Sequence, residues 1–249
     1  MKEFISKKAR IGKDTKMGLN VIIEDNVTIG DNCLIGHNVI IHEGSEIGSG
    51  VRIDDGTIIG KEPLFSPRSI FKPKKFEPAK IGDDCLIGAN VVIYVGCVIG
   101  TKNLIADLST IRENVTICDV NIIGRNVTIE NFVTIGSRCK FETNVYITAY
   151  SEVGDYCFVA PCVATSNDNY MARDKERYKH FKGVTLKTGA RIGVNATILP
   201  GKIIHEDGMV AAGSVVSNDV PKEKIVLGHP ARVLRDVNEK QLLKNNLDK

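Results

Sequence analysis

The chain has 249 residues, is 43% hydrophobic and 25% charged, and carries a net charge of only +3. That charge excludes the strongly basic footprint of a nucleic-acid-binding domain. No apolar stretch approaches the roughly 20 residues of a membrane-spanning helix, and the start, MKEFISKKARIGK, lacks the apolar core of a secretion signal. A soluble cytoplasmic protein is expected, binding neither nucleic acid nor membrane.

From Ile11 a hydrophobic residue returns at every sixth position: Met17, Ile23, Ile29, and on to Ile59. The ladder restarts at Ile81 and runs through Ile123, Phe141 and Val159 to Thr165. It restarts again at Leu186 and ends at Val216. Of thirty rungs only Thr165 is not hydrophobic, which composition alone cannot produce. A period of six is neither an amphipathic helix nor an alternating strand. It predicts a parallel β-helix built from hexapeptides. The residue two before each rung is usually small or β-branched, as in Val27, Cys33, Ser45 and Cys97. Five of the seven cysteines (Cys33, Cys85, Cys97, Cys139, Cys157) fall there, which marks them as small interior residues. The residue three after the rung is Asp14, Asn20, Asn26, Asn32, Asn38, Gly44, Gly50 and Gly56 in the first block. These residue types tolerate left-handed backbone at a corner. Three hexapeptides make one triangular coil, so about ten coils are expected. At about 4.8 Å per layer the prism is roughly 45–50 Å long. The continuous ladder predicts one domain over 1–249, with flat faces suited to association.

Two segments break the ladder. The first, 61–80, carries Pro63, Pro67, Pro73 and Pro78 with Lys72, Lys74 and Lys75. It is read as a wall over the nucleotide part of a substrate. The second, 166–184, is polar, aromatic and charged, and is expected to hold recognition or chemistry. The blocks before the breaks hold whole numbers of coils if Thr165 is a true rung. Both insertions then leave from one edge of the prism, five coils apart. The tail, 217–249, is expected to end in a short polar helix that packs weakly.

The repeat of aliphatic residue, Gly, two variable residues, small residue and variable residue resembles that of the left-handed β-helix acyltransferases. The segment Ser217-Asn218-Asp219-Val220-Pro221, followed by Gly228-His229-Pro230-Ala231-Arg232, resembles their C-terminal signature, with His229 in place of Asn. The stretch from Lys140 to Asn169, with Ser166-Asn167-Asp168 ahead of Ala172-Arg173, is similar to N-acetyltransferases acting on dTDP-linked 3-amino-3,6-dideoxyhexoses. A similar group acts on UDP-linked amino uronic acids. The resemblance covers about residues 5–235. It implies a left-handed coil, a homotrimer with sites between subunits, acetyl-CoA as donor and a nucleotide-linked amino sugar as acceptor. It also implies that Ala211 and Ala212 line the coenzyme A arm, that Lys222 and Arg232 meet its phosphates, and that Asn167, Asp168 and Asn169 hold the sugar.

Other enzymes of this fold use a histidine base, yet none of His37, His42, His180, His205 or His229 stands in their Asp-His or Asn-His setting. No suitable zinc trio exists either, so no metal is expected. Arg112 and Glu130, 18 residues apart, are expected to stack as an ion pair on adjacent coils. Glu142 stands where Gly is usual and is the candidate base. O-acetylation of a sugar or small alcohol, and a non-catalytic scaffold subunit, are the alternative functions.

Overall fold

A computed structural model describes residues 4–67, 69, 74–173 and 175–247. Lys72 and Pro73 of the first insertion lie outside the described residues. The backbone winds into three sheets of 11, 10 and 12 strands, here faces A, B and C. Successive strands go to A, B and C in turn, and each pairs in parallel with the strand one coil on. The ladder positions are the core: Ile23, Ile41, Ile59, Ile93, Ile111, Ile123 and Phe141 are fully buried. Residues before the rungs point outward, so strands such as Arg52–Ile53 and Ile122–Ile123 read outside then inside.

The small interior position has a second use. The Cys33, Cys85, Cys97 and Cys139 thiols each donate to the carbonyl oxygen fifteen residues on, at Gly48, Gly100, Arg112 and Gly154. Ser109 does the same to Gly124 at 2.9 Å. These side chains fill the corner and satisfy a carbonyl that the turn leaves without a strand partner. Burial pushes the Cys97 thiol up to about 12, which removes it as a nucleophile.

The eight corner residues of the first block all have positive φ, from 55° at Asn38 to 72° at Gly44. Later corners use Leu108, Val120, Phe132 and Tyr150 in the same conformation. Such residues carry a cost of about 1–2 kcal/mol each relative to a relaxed backbone.

Both insertions leave the A–B edge. The first follows Ile58–Lys61 on face A and returns at Lys80–Ile81 on face B. The second follows Ala164–Thr165 and returns at Thr185–Leu186. The strands between them on face A place the two exits five layers apart. Thr165 is a true rung, 5% exposed, and its hydroxyl donates to the Tyr146 carbonyl while accepting from the Thr148 N–H.

Two expectations are corrected. The coil starts one rung earlier, at Phe4–Ile5, so the prism is slightly longer than ten coils. Ile5 carries no Asn, Asp or Gly three residues on to mark it as a rung; Lys8 stands there. The tail is a hairpin before it is helical, and its helical end is short. Lys224–Gly228 extends face C beside Met209–Val210, and Ala231–Asp236 folds back on it antiparallel. Two short 3₁₀ turns, Glu239–Gln241 and Leu243–Asn245, follow. The tail is not weakly packed: Val237 and Leu242 are 7% and 5% exposed and cover Met209, Ala211 and Ile225. Their apolar contact with face C outweighs the polar composition of the tail.

Candidate active site

The residue following each rung on face A lines the A–B edge. Between the two insertions these are Tyr94, Arg112, Glu130 and Thr148, one layer apart, and a bulge after Ile59 sets Lys61 opposite Tyr94. The Arg112 guanidinium lies 4.9 Å from the centre of the Tyr94 ring, and Lys61 Nζ approaches the same ring at 5.0 Å. Arg112 forks onto Glu113, Nε to Oε2 at 2.9 Å and Nη2 to Oε1 at 3.2 Å. Its Nη1 reaches Glu130 Oε2 at 3.7 Å, so the stacked pair expected from the 18-residue spacing is present, with Glu113 as the stronger partner. Glu113 is only 3% exposed, and the fork is what makes its burial tolerable. Burial opposes the Arg112 charge, but Glu113 and Glu130 outweigh it and hold the guanidinium above its ordinary value.

Glu130 sits half-buried beside Arg112, Glu113 and Tyr146. Burial raises its pKa, and Arg112 only partly offsets this. Burial, then the Glu130 charge, likewise raise Tyr146. The raised Glu130 value means that the folded chain holds this proton more tightly than the unfolded one. Stability from Glu130 is therefore full below the ordinary carboxyl value of about 4.3 and is lost as pH rises through the raised value. Glu130→Gln is expected to raise the melting temperature at neutral pH and to leave it unchanged near pH 3. Thermal melts at both pH values check this.

Two positions further round the corner, Phe132 and Tyr150 stack with centroids 5.4 Å apart and planes within 4°. The first insertion folds back over this edge. Gly96 N–H donates to the Glu77 carbonyl at 2.6 Å, and Lys74 Nζ lies 5.5 Å from the Phe132 centre and 5.1 Å from that of Phe76.

The second insertion is organised by Asp168. Its carboxylate accepts from the Tyr170 and Ala172 N–H groups at 2.8 and 3.1 Å and pairs with Arg177 at 3.1 Å. Arg177 in turn lies 5.2 Å from both the Tyr178 and Phe181 rings, and Tyr170 stacks on His180. Asp168 thus has a structural task within the loop, while Asn167 and Asn169 flank it on the A–B edge.

The C–A edge has a different character. The residues after the face C rungs run Gly124, Glu142, Ala160, Gly193 and Ala211, one above another. Apart from Glu142, none has more than a methyl group. A Cβ on Gly193 would meet the Ala212 nitrogen at 2.6 Å, so the backbone layers approach closely here. Glu142 forms an ion pair with Lys140 at 2.9 Å. Ala211 lies three layers beyond Glu142, about 14 Å at strand spacing. The C-terminal hairpin closes this end: Ala211 N–H donates to the Val226 carbonyl, and Gly228 N–H donates to Ser214 Oγ at 3.2 Å. Arg232 lies opposite Leu227 in that hairpin, next to the Ala211–Ala212 corner. The fold therefore gathers Ala211, Ala212, Arg232 and Glu142 along one edge. Lys222 lies elsewhere, exposed beside Glu223 in the turn that follows Val220 on the B side. Asn167, Asp168 and Asn169 lie on the far margin of face A from Glu142.

Sequence reasoning did not single out Tyr146, Glu113 or the Phe132–Tyr150 stack. The 18-residue spacing of 132 and 150 is the signal that marks the stack, while Tyr146 and Glu113 stand in other columns and carry no such signal.

Comparison with known proteins agrees with this architecture. A family model for the bacterial transferase hexapeptide (six repeats) matches residues 8–43 and 26–61. The hexapeptide repeat of succinyl-transferase matches 78–106 and 121–149. Among curated relatives, a dTDP-3-amino-3,6-dideoxy-alpha-D-galactopyranose 3-N-acetyltransferase of Aneurinibacillus thermoaerophilus is 47% identical over 53 residues, 21% of this chain and 28% of that protein. The galactoside O-acetyltransferase of Escherichia coli K12 is 29% identical over 93 residues, 35% of this chain and 45% of that protein. The matches thus span less than half the length of each of these two relatives. Among solved structures, an Arabidopsis UDP-N-acetylglucosamine acyltransferase superposes over 98% of this chain and 75% of that one, with TM-score 0.60 and 20% identity, a likeness of fold. The repeats, the three-faced coil and these matches agree: the chain is a hexapeptide-repeat β-helix whose repeats are similar to those of bacterial transferases.

Proposed function

We propose that the protein is an acetyl-CoA-dependent N-acetyltransferase acting on the amino group of a nucleotide-linked deoxysugar, with a dTDP-linked 3-amino-3,6-dideoxyhexose as the favoured acceptor. The observation that carries this reading is the segment 47% identical to an N-acetyltransferase of that substrate class. The two edges support it. The small-residue C–A edge, ending at Arg232, suits an extended coenzyme A arm with phosphates at the hairpin. The A–B edge, with its two insertions, suits a larger polar acceptor. The two lie on opposite margins of face A, so one chain does not join them. A homotrimer, in which the C–A edge of one subunit meets the A–B edge of the next, would complete the site.

Acetyl-CoA would supply a thioester carbonyl with a good thiolate leaving group. The chain must place the amine, accept its proton and offer a hydrogen-bond donor to the developing oxyanion. Glu142 is the proposed proton acceptor, projecting from the same edge as Ala211. Backbone N–H groups of the close-packed C–A corner are the proposed oxyanion donors. Asn167, Asp168 and Asn169 would hold the sugar, Asp168 by keeping the loop in shape.

Arg232→Ala is expected to weaken acetyl-CoA binding by about 1–2 kcal/mol, the loss of one charge-assisted contact. The KM for the amino sugar should stay unchanged. Calorimetric titration with acetyl-CoA checks the first and steady-state kinetics the second. Lys222→Ala, on another edge, should leave both as they are.

A second reading is O-acetylation of a sugar, favoured by the match to a galactoside O-acetyltransferase. A hydroxyl needs a stronger base than an amine, and a histidine paired with a carboxylate on the A–B edge, His42 with Glu24 at 3.2 Å, lies one layer before the first insertion and six layers from the second. Free-thiol release from acetyl-CoA, measured against dTDP- and UDP-amino sugars and their hydroxyl counterparts, separates the two. Release with the amine alone supports N-acetylation. Release with the hydroxyl compound alone establishes the second reading, and release with neither sinks both.

A further inference from the structure

Large side chains occupy left-handed corners at several places, Leu108, Val120 and Tyr156 among them, so backbone strain by itself assigns nothing. Phe132 and Tyr150 differ in three ways. They occupy successive layers of one corner column, with φ of 59° and 63°. Their rings are parallel within 4° and continue each other along the prism axis. The column lies on the edge bracketed by the two insertions, with Lys74 of the first placed over Phe132 at 5.5 Å. The next layer up has no hexapeptide corner. There the second insertion begins, and its return passes Tyr150 so closely that a Cβ on Gly183 would lie 2.4 Å from the Tyr150 carbonyl carbon. Among the described residues, Tyr150 has one ring contact, to Phe132. The repeat thus ends a two-ring stack one layer short of the insertion expected to receive the acceptor.

We propose that the Phe132–Tyr150 stack is a platform for the pyrimidine base of the sugar nucleotide, which extends the stack by one ring on the Tyr150 side beneath the second insertion. This rests on the reading of the acceptor as nucleotide-linked and deepens it by assigning the base a subsite. The physical case is direct. An aromatic face takes any planar base, sequence and exocyclic groups aside. Parallel rings held by the β-helix backbone need no ordering on binding, and side chains with two rotatable bonds lose little freedom. Lys61 and Lys74 bring two cations to this edge beside an Arg112 already held by Glu113 and Glu130, and the two lysines suit the diphosphate next to the base. Stacking on Tyr150 implies tolerance of both thymine and uracil, because neither a methyl group nor its absence alters the shared π-face.

The test uses the opposed demands of fold and ligand. Asn is better suited than Phe or Tyr to a left-handed corner, so Phe132→Asn and Tyr150→Asn should melt at or above the wild-type temperature. Calorimetric titration with dTDP and UDP should show affinity reduced about tenfold to a hundredfold by Tyr150→Asn, as expected for loss of one base-stacking face, and less by Phe132→Asn. Tyr150→Phe, which keeps the ring, should bind both nucleotides as wild type does. Inorganic pyrophosphate, which has no base, should compete equally well against every variant. Unchanged nucleotide affinity in Tyr150→Asn would overturn the platform and leave the nucleotide-linked acceptor standing. Loss of pyrophosphate competition in step with nucleotide binding would also overturn it, since the change would then be general. Failure of the wild-type protein to bind either nucleotide would overturn the platform and the reading beneath it together.

Discussion

Replacing Ile123 by Asp is expected to prevent folding. Ile123 is fully buried on face C, between Ile105 in one layer and Phe141 in the other. Among the described residues the interior at this level offers no cation, and its polar side chains, Asn103 and Asn121, already bridge backbone groups of the corner. An unpaired carboxylate there costs several kcal/mol even after it takes up a proton, a large share of the 5–15 kcal/mol typical of a folded domain. Asn126, three residues on, is the control. It has φ 54° and its side-chain amide donates to Asn144 Oδ1 at 2.8 Å. Asn126→Ala should cost only about 1–2 kcal/mol, since the fold already accommodates Leu108 and Val120 in the same conformation. Chemical denaturation of both variants checks the pair, and equal small losses would mean that the six-residue register is misassigned.

The second large effect concerns proton transfer. Glu142→Gln keeps the shape of the side chain and removes its ability to accept a proton. If Glu142 takes the amine proton, kcat should fall by about 10²–10⁴ with the fold intact. Raising the pH supplies neutral amine without a base, so the variant should recover part of its rate. Glu130→Gln, on the other edge, should change kcat by less than about tenfold and act mainly on KM. Opposite outcomes in the two variants would transfer the role to Glu130. A loss under about tenfold in both would leave the departing thiolate as the acceptor. The Lys140 partner enters here as well: Lys140→Ala should leave the kcat of Glu142→Gln unchanged, because a neutral amide gains nothing from the cation.

Much of the fold was legible because a solenoid repeats its physics every layer. Rungs such as Ile123, corners such as Asn126 and interior thiols such as Cys97 each follow from a position in the hexapeptide, and the insertions kept that phase. The hairpin was not legible. Lys224–Gly228 and Ala231–Asp236 lie in a segment that reads first as a family signature, and their pairing depends on the turn between them rather than on the period of six. The site was legible by edge and not by contact. Spacing of 18 brought Arg112 to Glu130, but nothing in it revealed that the neighbouring Glu113 would turn inward and take the stronger bond. Lys222 and Arg232 stand ten residues apart in one motif, yet the chain rounds a corner between them and parts them. The approach of Lys74 to Phe132 depends on the course of an irregular insertion, which carries no periodic signal.

The central claim is transfer of an acetyl group to a sugar amine, and the most direct measurement is the structure of the product. Incubation with acetyl-CoA carrying ¹³C at the acetyl carbonyl and a dTDP-linked 3-amino-3,6-dideoxyhexose, followed by NMR of the product, should show one labelled amide carbonyl coupled to the nitrogen-bearing ring carbon. Label in an ester on a ring oxygen, or label remaining wholly in acetyl-CoA across dTDP- and UDP-amino sugars while the protein binds both partners, would contradict it.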